Sequence, residues 1–230
     1  MLLAGFVVRE CRSASALVDL TLFRARAFVT GNLAGLLSYC ILFGIFFLMP
    51  FALERGRGAS PLVAGLLLTV IPVALGVVAP LSGALSDRIG ARPLTVSGML
   101  LAAGALGGLA LETRHVTRLP LLIALAAFGT GQGLFTAPNN SAIMGAAPSE
   151  RLGVAGGVLN LTRSLGTSLG VAVASTVLSW RLAVRAGAPE STAQAPPEIL
   201  LGGIHDTLLL FAALAVVAAA ISLRRVRVRD

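Results

Sequence analysis

Polar side chains lie at helical spacing inside several long apolar stretches of this 230-residue chain. Residues three, four or seven positions apart share one face of a helix, so each set forms a stripe. Three stripes are present: Asn32, Gly35, Ser38, Tyr39 and Phe43; Gly129, Gln132, Thr136, Asn139 and Asn140; and Asn160, Arg163, Ser164 and Thr167. Amides and hydroxyls cost free energy in hydrocarbon unless they are paired. The stripes therefore predict either interhelical hydrogen bonds or the wall of a watery cavity.

The composition places these stripes in a membrane. The chain is 56% hydrophobic and 12% charged, and it has two cysteines. A soluble domain is about a quarter charged, and the scarcity of charge and cysteine also excludes a disordered chain, a disulfide-built secreted domain and a coiled coil. We therefore predict an all-α membrane protein with six transmembrane helices in two sets of three.

Six apolar segments are long enough to cross a bilayer, which takes about 20 residues. They are expected at residues 28–51, 62–85, 93–111, 119–138, 153–180 and 206–223. Within residues 1–27 we expect the stump of a preceding helix and then an amphipathic cytoplasmic link, and residues 224–230 are expected to form a basic cytoplasmic tail. Small residues four positions apart indicate close helix packing, at Gly31/Gly35, Gly104/Gly108, Gly129/Gly133, Gly153/Gly157 and Gly166/Gly170.

The basic residues indicate how the chain is oriented. All 18 are arginines, and the net charge is +8. They lie mainly at the ends of apolar segments and not in a stripe with aromatics, so the charge indicates lipid headgroups and excludes nucleic acid as the partner. If the N-terminus is inside, eleven arginines lie on the inner side and six on the outer side. We therefore expect both termini in the cytoplasm and the bundle in the cell (inner) membrane.

Arg163 is the one charged residue within the three stripes. If its helix begins near Gly153, Arg163 lies about 15 Å along it, close to the bilayer midplane. If the glycine-rich start lies among the headgroups, the guanidinium is one turn deep and reaches the interface. The sequence leaves both placements open, together with a purely structural bond to a neighbouring helix.

The chain has no motif for intramembrane hydrolysis, for ATP-driven pumping or for a metal site. We therefore expect no enzyme activity, no metal and no cofactor. None of the ten acidic residues falls in the middle of a predicted span. A proton-driven machine binds and releases its proton within the membrane, so this chain is expected to lack the coupling carboxylate.

The loop between the second and third spans carries the most specific motif. Residues 83–93, GALSDRIGARP, match the pattern GxLxDRxGxR at six positions: Gly83, Leu85, Asp87, Arg88, Gly90 and Arg92. Gly83 allows two helix ends to approach, Asp87 can pair with a neighbouring arginine, and Gly90 suits a turn with positive φ. The pattern resembles the loop signature of the major facilitator superfamily, and a plain tight turn is the alternative.

Other stretches extend the resemblance to nearly the whole chain. Residues 129–140, 148–153 and 160–166 resemble the carboxy-terminal half of the drug:proton antiporter branch with fourteen spans, and residues 17–28 resemble the link before its last six spans. The resemblance implies efflux of small lipophilic molecules. It implies a substrate path lined by Asn32, Tyr39, Phe43, Gln132, Asn139, Asn160 and Arg163. It also implies a cytoplasmic gating motif formed by Gly83, Asp87, Arg88, Gly90 and Arg92.

The resemblance also bears on partners. Substrate in this family lies between two six-helix halves, and the resemblance leads us to expect that this chain holds only the carboxy-terminal half. The expected partners are membrane lipid, a small-molecule substrate, and an amino-terminal transporter half or a second copy of the chain. A non-transporting membrane scaffold or partner subunit, and a homodimeric half-transporter, are the alternative functions.

Overall fold

The fold is nearly all helical in the computed structural model, which describes residues 20–112, 118–186 and 195–224. Its six long helices are α1 (Arg26–Pro50), α2 (Pro61–Ile89), α3 (Ala91–Glu112), α4 (Arg118–Gly145), α5 (Leu152–Ala186) and α6 (Pro197–Leu223). Short 3-10 turns at Leu20–Arg24 and Ser149–Arg151 precede α1 and α5, and a π-helical turn at Phe51–Gly56 extends α1. The expected helix stump and most of the amphipathic link and of the basic tail lie outside the described residues.

Each of the six helices is long and apolar enough to cross a membrane. The prediction of an all-α membrane protein with six spans is therefore confirmed. The helices are longer than the apolar segments that predicted them, and α4, for instance, continues seven residues past Pro138. Helix α5 continues six residues past Trp180, and α6 begins at Pro197, nine residues before the expected position. A proline in the first turn of a helix needs no hydrogen-bond partner there, which explains the early start.

The helices pack around α1 and α4. Helix α4 lies between α2 and α3, while α3 packs on α6, and α1 contacts α4, α5 and α6. The largest fully buried side chains include Phe28, Phe128, Phe135 and Phe211. Phe211 of α6 lies against Gly44 of α1, where any side chain would overlap the ring. Helices α2 and α5 are the least buried of the six, so each has a face that the rest of this bundle leaves uncovered.

Glycines mark the closest helix crossings. A Cβ atom at Gly133 would lie 3.1 Å from the Leu75 carbonyl oxygen of α2, and one at Gly166 would lie 2.8 Å from the Leu36 carbonyl oxygen of α1. Two of the five predicted pairs, Gly129/Gly133 and Gly166/Gly170, thus lie at helix crossings. A Cβ atom at Gly153, Gly157 or Gly104 would meet nothing within 4 Å. The spacing alone does not separate these cases, because it describes one helix and not its neighbour.

Candidate functional site

The predicted stripes meet between α1 and α4. The Ser38 hydroxyl donates a hydrogen bond of 2.6 Å to Gln132 Oε1, and Gln132 Nε2 donates to the Ser38 carbonyl oxygen at 3.4 Å. Gln132 is fully buried. The Ser38 hydroxyl and the Gln132 amide are therefore hydrogen-bonded to each other's residue inside the bundle. This pairing avoids the free-energy cost of an unpaired polar group in an apolar environment.

A second polar group joins α1 to α5 and to α4. The Thr162 hydroxyl donates to Asn32 Oδ1 at 2.9 Å, and Asn32 Nδ2 donates to the Phe28 carbonyl oxygen at 2.9 Å. Asn139 Nδ2 donates to the Gly31 carbonyl oxygen at 3.2 Å. All of these side chains are buried. In this conformation Asn32, Gln132 and Asn139 therefore bind neighbouring helices, and their role in a path remains a prediction that requires the helices to separate.

The other predicted path residues lie nearer the surface of the bundle. Arg163 is exposed on α5, and its guanidinium carbon lies 5.6 Å from the centre of the Tyr39 ring. Tyr39 itself is buried against α5. Asn160 is exposed one turn before Arg163, and Phe43 is partly exposed one turn after Tyr39. Arg163 and Asn160 are therefore exposed on α5, and the Arg163 guanidinium lies over a tyrosine ring that α1 buries.

Arg163 lies deep along its helix. Counted at 1.5 Å per residue, it is about 18 Å from Arg151 before α5 and about 27 Å from Arg181 near its other end. A bilayer with its headgroups is about 40–45 Å thick, so two arginines at this separation fit its two surfaces. Arg163 then lies inside the hydrocarbon layer, which favours the deeper of the two placements that the sequence left open.

The loop motif is exposed at the ends of α2 and α3. Gly90 adopts φ +85°, the backbone conformation expected for this turn, and its N–H donates to the Ser86 carbonyl oxygen at 2.8 Å. Asp87, Arg88 and Arg92 are exposed, and none of them forms an ion pair with a residue in the described ranges. Gly83 is half-buried, and a Cβ there would meet Ala137 of α4 at 3.8 Å. The motif thus presents three charges that this chain leaves unpaired among its described residues.

A cluster that the sequence did not predict lies at the opposite end of the bundle. Asp206 of α6 accepts hydrogen bonds at one carboxylate oxygen, Oδ2, from Arg181 Nε at 2.8 Å and from Arg185 Nη2 at 2.7 Å. The neighbouring His205 places Nδ1 2.9 Å from the Ala110 carbonyl oxygen of α3. The sequence predicts a loop at residues 181–205, between the fifth and sixth spans. The two ends of this segment instead belong to α5 and α6. Asp206, expected at the first position of the sixth span, is instead the tenth of the 27 residues of α6.

The remaining candidates do not suggest chemistry. An open apolar groove of about 600 Å³ between α3 and α4 is lined by side chains such as Leu100, Leu111 and Ile123, with Gly104 and Gly108 at its floor. It has no charged lining residue. Within the described ranges no group of three or more His, Cys, Asp or Glu residues could hold a metal ion.

Comparison with known proteins identifies the fold. Residues 31–189 match the Major Facilitator Superfamily. The chain is 34% identical over 175 residues to the riboflavin transporter RibZ of Clostridioides difficile, which covers 76% of this chain and 38% of that protein. It is 33% identical over 177 residues to the multidrug resistance protein Stp of Mycobacterium tuberculosis, covering 76% of this chain and 33% of that protein.

A third relative matches over more of the chain. The transporter YebQ of Escherichia coli is 31% identical over 217 residues, which cover 94% of this chain and 44% of YebQ. The chain thus spans between a third and a half of the length of these relatives. Because the family match covers more than half of the chain and the named relatives are transporters, this protein is a membrane-spanning member of the major facilitator superfamily, with the six helices of one half of that fold.

Proposed function

We propose that the chain is the carboxy-terminal half of a proton-coupled drug antiporter of the fourteen-span type, and that it exports small lipophilic molecules only together with an amino-terminal half. Two observations support this. The chain corresponds to 38% of RibZ and 33% of Stp, and Stp is named as a multidrug resistance protein. The resemblance to the antiporter branch extends over nearly the whole chain, from about Val7 to the sixth span.

The observation that carries the proposal is the polar face of α5 that the rest of this bundle leaves uncovered. Asn160, Arg163 and Ser164 are all exposed there. A charged side chain at the centre of a membrane helix costs about 2.5–3.5 kcal/mol by insertion scales, so this face is unsuited to lipid. A second bundle would cover it and would enclose a path between the two halves.

Transport in this proposal comes from rocking of the two halves. The substrate path contains Tyr39, Phe43, Asn160 and Arg163 on its wall, and Asn32, Gln132 and Asn139 join the wall when α1, α4 and α5 move apart. Asp87, Arg88 and Arg92 form a cytoplasmic latch with charges of the other half in one state and release them in the other. Their lack of ion pairs within the described part of this chain supports a partner outside it.

The proposal places the chain in the cell membrane with both termini in the cytoplasm. The distribution of arginines supports this orientation, because the side that holds Arg88, Arg92 and Arg151 is the richer in arginine. The proton-coupling group is proposed to lie in the amino-terminal half. Asp206, the tenth residue of α6, is held by two arginines at the outer end of α5.

A fusion with a relative tests the function directly. In this fusion the chain replaces the matching region of Stp, and the product is expressed in a bacterial host that lacks its own drug pumps. We expect the fusion to raise resistance to several lipophilic drugs and the isolated chain to raise none. Dissipating the proton gradient should remove the resistance, because coupling drives export.

Two further strains make the result decisive. The same fusion with Asp87→Asn should reach the membrane in equal amount and give little resistance, because the latch loses its carboxylate. A fusion that reaches the membrane and gives no resistance to any drug would contradict the transport proposal. Full resistance from the isolated chain would contradict the half-transporter proposal and would favour a homodimer.

A further inference from the structure

We infer that Arg163 and Tyr39 form a subsite for an anionic aromatic molecule, such as an aromatic carboxylate or a phenolate. This rests on the proposed function in one respect, namely that the exposed face of α5 borders the path. The subsite itself is formed by side chains of this chain alone. Binding can therefore be measured without transport.

The position of Tyr39 is fixed by the crossing of α1 and α5. A Cβ atom at Gly166 would lie 2.8 Å from the Cβ atom of Tyr39, so the two backbones meet with no space between them. The Tyr39 ring is consequently held under the guanidinium of Arg163 at 5.6 Å. Stacking on an aromatic ring orients the guanidinium plane and leaves its N–H donors at the edge.

The donors of Arg163 have no partner in the described part of the chain. Among the described residues, Arg163 stacks on Tyr39, and its backbone carbonyl oxygen accepts a hydrogen bond from the Thr167 hydroxyl at 2.9 Å. Helices α1, α4 and α5 contain no acidic residue at all. The wall at this depth therefore has one positive charge and no negative charge, and an anion is the ligand that complements it.

The neighbouring residues favour an aromatic anion over a small one. Phe43 lies one turn from Tyr39 on the same face of α1 and is partly exposed, so its ring can contact a planar ligand whose charged group reaches Arg163. Asn160 lies one turn from Arg163 on α5 and adds an amide that can donate or accept. A planar ring thus has aromatic surface on α1 and its charged group has donors on α5. A permanent cation would be repelled by Arg163.

Three naphthalene probes of nearly equal size test the inference: naphthalene-2-carboxylate, its neutral carboxamide, and the trimethylammonium analogue. Their equilibrium binding is measured on the 230-residue chain in lipid nanodiscs, after subtraction of binding to empty nanodiscs. We expect the carboxylate to bind about tenfold more tightly than the carboxamide, because a hydrogen bond to a charged group is the stronger one. The cation should bind most weakly.

Three variants locate the effect. In Arg163→Gln, the affinities for the carboxylate and for the carboxamide should differ by no more than about twofold. Tyr39→Leu should weaken the binding of both probes, and the carboxylate should still bind more tightly than the carboxamide. Arg185→Gln removes a guanidinium at the other end of α5 and should leave the order and the affinities unchanged.

Several results would overturn the inference: no binding of the carboxylate, equal affinity for the carboxylate and the carboxamide, or an unchanged preference in Arg163→Gln. Arg163 would then be expected to form an ion pair with an acidic residue of the other half. The fusion with Stp could still confer resistance in that case. Conversely, the binding order could be found in a chain whose fusion does not transport, so the two proposals fail separately.

Discussion

Ser38 of α1 and Gln132 of α4 are joined by a hydrogen bond of 2.6 Å although they are 94 positions apart in the sequence. Their pairing connects the first three spans to the last three within the buried centre of the bundle. It also shows how a polar stripe can serve packing: two stripes face each other, and each supplies the partner that the other lacks.

Removing this pair should destabilise the bundle. Ser38→Ala leaves Gln132 Oε1 without its donor, and we expect a loss of about 0.6–1.7 kcal/mol, the range for hydrogen bonds between membrane helices. Thermal unfolding in detergent micelles measures it. Thr69→Ala is the matched control, because the Thr69 hydroxyl bonds only to the Gly65 carbonyl oxygen of its own helix.

The double variant Ser38→Ala with Gln132→Leu makes this prediction sharper. If the two residues act as a pair, the loss in the double variant is smaller than the sum of the two single losses. Strictly additive losses would mean that the hydrogen bond contributes nothing measurable.

A side chain at the crossing of α1 and α5 should also be destabilising. A Cβ atom at Gly170 would overlap the backbone of Cys40, which cannot rotate away. Gly170→Ala should therefore cost about 1–3 kcal/mol, as overpacking of a core does. The yield of monodisperse protein and its thermal midpoint in detergent report the loss.

Gly157→Ala is the control for this substitution. Its Cβ atom would meet nothing within 4 Å, and alanine is favoured over glycine inside a helix by about 1 kcal/mol. We expect an equal or higher thermal midpoint. A similar decrease in both variants would show that the crossing at Gly170 has no special role.

The sequence predicts the helices better than their contacts. Apolar segments of about 20 residues mark the six spans. The hydrocarbon layer contains no water to bond the backbone, so each spanning segment forms a helix in which the backbone N–H and C=O groups bond one another. The crossing of Gly98 with Gly131 was not predicted, since each glycine faces the other's backbone from a different helix. Spacing along one helix carries no information about such a pair.

The same limit explains the outcome for the candidate site. The stripes identified Asn32, Gln132 and Asn139 as polar residues that need partners, and left open whether the partner is a helix or a ligand. The sequence could not resolve this, because it depends on the rotation of each helix about its axis. The cluster formed by Asp206, Arg181 and Arg185 was missed for another reason. Polar residues after Trp180 resemble a loop, although Arg181 and Arg185 lie four positions apart on one helix face.

The cluster formed by Asp206, Arg181 and Arg185 should stabilise the adjoining ends of α5 and α6. Asp206→Asn removes the charge that holds Arg181 and Arg185, whose side chains are 31% and 38% exposed. Because ion pairs near water are weak, we expect a loss of about 1 kcal/mol or less, seen as a lower thermal midpoint. High salt should reduce the difference from the unmodified chain, since it screens exposed charges. Glu198→Gln, in the exposed first turn of α6, should have no such effect.

The open face of α5 should contact another half and not another copy. Cysteine cross-linking tests this in a background with Cys11→Ser and Cys40→Ala, so that a single introduced thiol reports each position. With Asn160→Cys, we expect a cross-link to the part of Stp outside the matched region, expressed as a separate polypeptide with cysteines on its own contacting face. We expect this cross-link because exposed polar residues such as those of α5 are unfavourable against lipid, and a second protein surface would cover them.

Val216→Cys provides the control, because Val216 is 49% exposed on the apolar surface of α6 and suits lipid. It should give no cross-link to the Stp polypeptide. If Asn160→Cys instead links two copies of this chain with high yield, and the Stp polypeptide does not compete, the covering partner is a second copy. The homodimeric half-transporter would then replace the half-transporter that we propose.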